Sequence, residues 1–124
     1  MFIINADKSI YLTRGDTAVI NVSAIDSNNE PYMFETDNKI RFKVFEKSRC
    51  DNIVMVKTVT VNTECSSVSI VLSSEDTKIG DVINKPKDYW YEVELNPETL
   101  PQTIIGYDEN GPKVFRLFPE GDDK

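Results

Sequence analysis

The chain predicts an all-β fold, an antiparallel β-sandwich of seven to nine strands, with a partly closed barrel as the fallback. Three observations predict it. Short runs rich in Val, Ile, Thr and aromatic residues alternate apolar with polar positions, the period of a strand with one buried face. Clusters of Asn, Asp, Gly and Pro punctuate those runs at short spacings. No stretch repeats its apolar residues at helical spacing for more than one turn.

The first two runs, Phe2 to Ile4 and Ile10 to Leu12, are short and read as edge pieces. They end at Thr13-Arg14-Gly15-Asp16, where Gly15 suits a turn that needs positive φ. From Thr17 to Ile25, Ile20, Val22 and Ala24 share one face while Asn21 and Ser23 lie opposite. Asp26-Ser27-Asn28-Asn29-Glu30-Pro31 is a loop, because Asp, Asn and Ser bond their own backbone and Pro fixes φ. Ile40, Phe42 and Val44 then alternate with Arg41, Lys43 and Phe45, which describes a half-buried strand with a basic, partly aromatic outer face.

Polar residues from Glu46 to Asn52 break that strand, and Ile53 to Val61 follows. Its apolar start, Ile53-Val54-Met55-Val56, predicts a strand covered on both faces. Ser67 to Ser73 alternates cleanly, with Val68, Ile70 and Leu72 on one side. Ser74-Glu75-Asp76-Thr77 suits a single helical turn, which Gly80 and Pro86 prevent from extending. In the next strand Tyr89, Tyr91, Val93 and Leu95 share one face and Trp90, Glu92 and Glu94 the other, until Asn96-Pro97 ends it. Thr103 to Tyr107 and Val114 to Phe118 read as a hairpin closed by Asp108-Glu109-Asn110-Gly111-Pro112.

At 124 residues the chain is a single domain, residues 1–124, long enough to bury a core without a metal or a disulfide. Its net charge of −7 opposes a phosphate backbone, so nucleic acid is not expected as a partner. No apolar run reaches the length of about 18 residues that spans a bilayer, and Asn5, Asp7 and Lys8 interrupt any signal-peptide core after Met1-Phe2-Ile3-Ile4. The expectation is a protein made in the cytoplasm with no membrane partner. Cys50 and Cys65 form a disulfide only if their loops meet; in a cytosolic product both read as unpaired and incidental.

There is no histidine, so neither a Ser/His/Asp nor a Cys/His system can be assembled, and the usual zinc set is missing. Glu92 and Glu94 are the one carboxylate pair with a spacing suited to acid–base work, and a solvated strand face explains them better. No catalytic residue, cofactor or metal is expected. Asp108 to Gly111 resembles the start of an EF-hand loop, yet Pro119 stands where the twelfth-position acid belongs. Arg14-Gly15-Asp16 matches the tripeptide of integrin ligands and reads as a tight turn; Asn21-Val22-Ser23 spells a glycosylation acceptor inside a strand. Trp90 is either an exposed interface anchor or a core residue in reversed register. Phe45, Phe115 and Phe118 sit in strands with apolar groups on both faces, a pattern that a free monomer avoids.

The opening YLTRGDTAVINVSAIDSNNEPYMFETDNKIRFKVFEK and the closing YWYEVELNPETLPQTIIGYDENGPKVFRLFPEG resemble small β-domains of tailed phages and prophages of low-GC Gram-positive bacteria. The first part is also similar to the immunoglobulin-like N-terminal domain of upper baseplate proteins. The resemblance spans Ile10 to Gly121; Thr36-Asp37-Asn38 departs from it by replacing a glycine-containing step, and no receptor-binding extension follows Gly121. It implies an immunoglobulin-like sandwich in the virion, a non-enzymatic tail or baseplate adaptor present in multiple copies and bound to other virion proteins. Capsid decoration is the alternative within the same class. A carbohydrate-binding host-recognition module, stacking sugars on Trp90 with Tyr89 or Tyr107, is the alternative outside it. The residues expected to make the contacts are Phe2, Ile3, Ile4, Phe45, Trp90 and Phe118.

Overall fold

The computed structural model describes residues 2–5, 7–26, 28–47, 51–106 and 111–120, with the side chain of Asp51 left aside. The turn residues 107–110, Cys50 and the segment from Gly121 onward lie outside the described residues. Among the described residues there are nine strands: β1 (Phe2–Ile4), β2 (Ile10–Thr13), β3 (Ala18–Val22), β4 (Lys39–Lys47), β5 (Asp51–Thr60), β6 (Val68–Leu72), β7 (Lys87–Leu95), β8 (Gln102–Ile105) and β9 (Lys113–Phe118). Among the described residues there is no helix.

The strands form an all-β sandwich of unequal layers. One sheet has the order β1-β2-β9-β7-β4-β5, with β8 also on β7; the other contains β3 and β6 alone. All pairings are antiparallel except β2 with β9, which run parallel. The core lies between the layers. Ala18, Ile20 and Val22 of β3 and Val68, Ile70 and Leu72 of β6 meet Ile40, Phe42 and Val44 of β4 and Tyr89, Tyr91 and Val93 of β7. Phe34 and Val61 help close it from the loops. The period of two that the sequence shows is therefore the period of burial, residue by residue, along β3, β6 and β7.

Turn chemistry follows the residues. Gly15 takes φ +88, and Asn29 and Asn96 take φ 65 and 48, the left-handed region that Gly and Asn tolerate. The Asp26 carboxylate accepts the N–H groups of Asn28 and Glu30, which closes the β3–β4 loop. At the expected turn after β6, Ser73 rather than Ser74 is the cap: its hydroxyl accepts the N–H of Asp76 while the Asp76 carboxylate accepts that of Ser73. Thr77, fully buried, accepts the N–H of Gly15 at 3.1 Å and donates to the carbonyl of Asp16 at 2.7 Å, latching the β2–β3 turn to this loop.

Four expectations are corrected. β2 is interior, held between β1 and β9, so of the two opening strands β1 alone is an edge piece. β5 is a sheet edge, with Ile53, Val54 and Val56 exposed, where its apolar start suggested cover on both faces. The break expected from Glu46 to Asn52 is shorter, because β4 runs to Lys47 and β5 begins at Asp51. Among the described residues β8 and β9 do not pair as a hairpin, and residues 107–110 of the turn expected to close it lie outside them. Both strands lie antiparallel to β7 on the side away from β4, so they are two halves of one lane interrupted by residues 106–112.

Candidate interaction surface

The outer face of the large sheet carries the side chains that the core does not use. Register sets Val114 opposite Trp90, Trp90 opposite Phe45, and Phe45 opposite Ile53, an apolar row crossing four strands from β9 to β5. Alternation along β7 puts Tyr89 and Tyr91 into the core, each 2 % exposed, which leaves Trp90 outside and half-buried. That resolves the two readings of Trp90 in favour of the outer face. The row is shielded in its middle and opens toward β5, where Ile53 is 54 % and Val56 48 % exposed.

Charged pairs bracket the row. On one side Arg116 donates to Asp88 through Nε at 2.6 Å and stacks its guanidinium over the Tyr11 ring at 5.1 Å. The hydrogen bonds to Asp88 hold the Arg116 pKa above its ordinary value. Tyr11 in turn meets Phe118 edge to face at 5.6 Å. On the other side Lys43 pairs with Glu94 at 2.8 Å and lies 5.6 Å over Phe45, and Arg41 reaches Glu98 at 3.3 Å. Glu94 is thus a cross-strand ion-pair partner, and Glu92, opposite Lys43, lies on the same face. The row is thus an apolar strip rimmed by charges of both signs.

The six residues expected to make contacts fall in three places. Ile3 is exposed on the outer face opposite Tyr11, and Ile4 is exposed on edge strand β1; both are open to a partner. Phe2, on the same edge strand, is half-buried and packs against the core opposite Leu12. Phe45 belongs to the outer row but is only 3 % exposed, which corrects the contact expected of it: its neighbours in the row and the Lys43 stem cover it. Phe118 and Trp90 are half-buried on the outer face. Phe115, by contrast, is fully buried in the core.

Sequence reasoning missed Ile53, Val54 and Val56 as surface. The signal was ambiguous, since a continuous apolar run fits a central strand as well as an edge next to a partner. Other motifs settle simply. Arg14 is 8 % exposed and turned inward, donating to the carbonyls of Ile79 and Gly80, so the Arg-Gly-Asp tripeptide is not presented. Asn21 lies within β3 and accepts the Ser69 hydroxyl at 2.7 Å. Tyr89 is buried and lends no ring to a sugar. Tyr107, the Asp108–Gly111 loop apart from Gly111 itself, and Cys50 lie outside the described residues; Cys65 is half-buried beside Phe34. Among the described residues no group of three or more acidic or cysteine side chains is placed to hold a metal.

Comparison with known proteins returns no relative: no family model, no curated protein and no solved structure matches the chain.

Proposed function

We propose that this chain is a non-enzymatic structural protein of a tailed bacteriophage virion, an immunoglobulin-like adaptor that docks onto other tail or baseplate proteins through its outer sheet face. The observation that carries the docking part is the apolar row ending in Ile53, with Val56 exposed on the same strand and Ile3 and Ile4 exposed at the opposite edge of the same sheet. Burying such a strip contributes about 25 cal/mol per Å² of apolar surface, which favours a partner over water. The ion pairs on either side would fix orientation more than they add affinity.

The strand order supports the immunoglobulin-like part. β4, β5, β7 and β9 lie in the order β9-β7-β4-β5, facing the antiparallel pair β3-β6, as the G-F-C-C′ and B-E strands do in a variable-type domain. The virion part rests on the resemblance of the opening and closing segments to phage β-domains. Mass spectrometry of purified particles from the phage or prophage that encodes the chain tests it. Stoichiometric copies in tail fractions are expected. Their presence in tail-free capsids would favour decoration instead, and their absence from both would overturn the proposal. A glycan array should give no hits, since a sugar-binding module would need the Trp90 ring free.

A further inference from the structure

Among the described residues the sheet leaves one lane open. β2 occupies the position beside β9, but it starts at Ile10, and the chain turns back to β1 through Asn5–Ser9, with Lys8 at φ 73. β8 continues the lane of β9 along β7, and among the described residues β7 is its one strand partner. Beside β8, where a longer β2 would lie, is a groove of about 710 Å³. Lys8 stands at its β2 end, Gln102 and Ile104 of β8 line one wall, and Ala24, Ile25 and Tyr32 of the β3–β4 connection line the other.

A strand edge bonded on one side presents unpaired N–H and C=O groups, and the ligand that satisfies them is another extended backbone. One strand residue fills a box of about 3.3 by 4.8 by 10 Å, roughly 160 Å³, so the groove holds about four residues. That is the length of β8. Apolar walls at Ile104, Tyr32 and Leu95 suit a segment with apolar side chains at alternate positions. Within the lining Lys8 and Asp26 offset each other, and it is the net charge of −7 over the whole chain that favours a basic segment and opposes a second copy.

We propose that this groove accepts an extended, basic segment of a partner protein, added as a strand to the free edge of β8. This rests on the reading of the chain as an assembly protein and names how one partner is held. By contrast, the β5 edge is guarded: it carries a bulge between Val44 and Phe45 of its neighbour's register, and Lys57 on its inner face, both devices that discourage strand addition.

The test uses the full chain and end-blocked hexapeptides with Lys at odd positions and Val, Ile or Leu at even ones. Titration followed by hydrogen exchange should show binding with new protection of amides in Gln102–Ile105. N-methylating alternate peptide nitrogens in one phase should weaken binding roughly tenfold or more, and in the other phase should leave it nearly unchanged, because only one row of N–H groups faces the edge. Ile104→Asp should abolish binding, with the unliganded exchange pattern of β7 confirming that this variant is folded. Equal effects of the two N-methyl phases, protection at β5 or β1 instead, or no binding at millimolar peptide would overturn the proposal. Concentration-dependent dimers with β8 protected would replace the partner by a second copy. None of these outcomes bears on whether the chain is found in particles, so the two readings fail separately.

Discussion

Arg14 is the buried charge on which the junction of three segments depends, and replacing it measures that dependence. Its side chain is 9 % exposed, donates to the carbonyls of Ile79 at 3.2 Å and Gly80 at 2.6 Å, and pairs with Glu120 at 2.8 Å. Arg14→Met keeps most of the apolar stem and deletes every donor. The two carbonyls lose a charged donor, at about 1 kcal/mol each where the loop lets water partly replace it. Glu120 is 35 % exposed and recovers solvent, so its share is below about 1 kcal/mol. The expected loss is about 2–3 kcal/mol, roughly 10 °C in Tm for a domain of this size. Arg14→Lys should lose about half as much, since an ammonium reaches fewer of the three acceptors than a guanidinium fork. Urea unfolding of the three proteins, compared at constant m, gives the values. A loss below about 0.5 kcal/mol for Arg14→Met would mean that the side chain is solvated, and that the turn at Gly15 presents it outward after all.

Trp90→Ala should weaken association with the partner more than it lowers Tm, because the ring sits on the outer face; pull-down from disrupted particles beside calorimetry decides, and the reverse order would place the ring's main contacts within the fold. Acid should destabilise the fold through Asp76, whose pKa is held below its ordinary 3.8, first by the hydrogen bond from Lys57 and then by the Ser73 N–H. A depressed carboxylate contributes stability that is complete above 3.8 and is lost as pH falls through the lower folded value, so Asp76→Asn should flatten the decline of Tm below pH 3.8. Lys57→Val removes the inward charge from edge strand β5 and should raise self-association above that of the unaltered protein; light scattering of both at rising concentration checks this, and an equal mass would show that the bulge alone protects the edge.

The candidate surface was only partly legible in the residues. Alternation placed Trp90, Glu92 and Glu94 on one face and the tyrosines on the other, because strand geometry permits no other arrangement. It left Phe45 looking free, since nothing local says that Trp90, Ile53 and Lys43 converge on its ring. It also gave Ile53 to Val56 the wrong neighbours, since an apolar run reports a need for cover and not which element provides it.

By itself the amino-acid order determined where the strands lie, which side chains face the core, and that histidine chemistry is absent, since each of these is a local property of backbone, period and composition. Only the tertiary structure decided the lanes: β2 parallel to β9, β8 and β9 sharing one side of β7, β5 left at the edge, and a groove where β2 stops short. Strand pairing is a contest among non-local contacts of similar backbone energy, and it is settled by how the buried faces pack together over the whole domain.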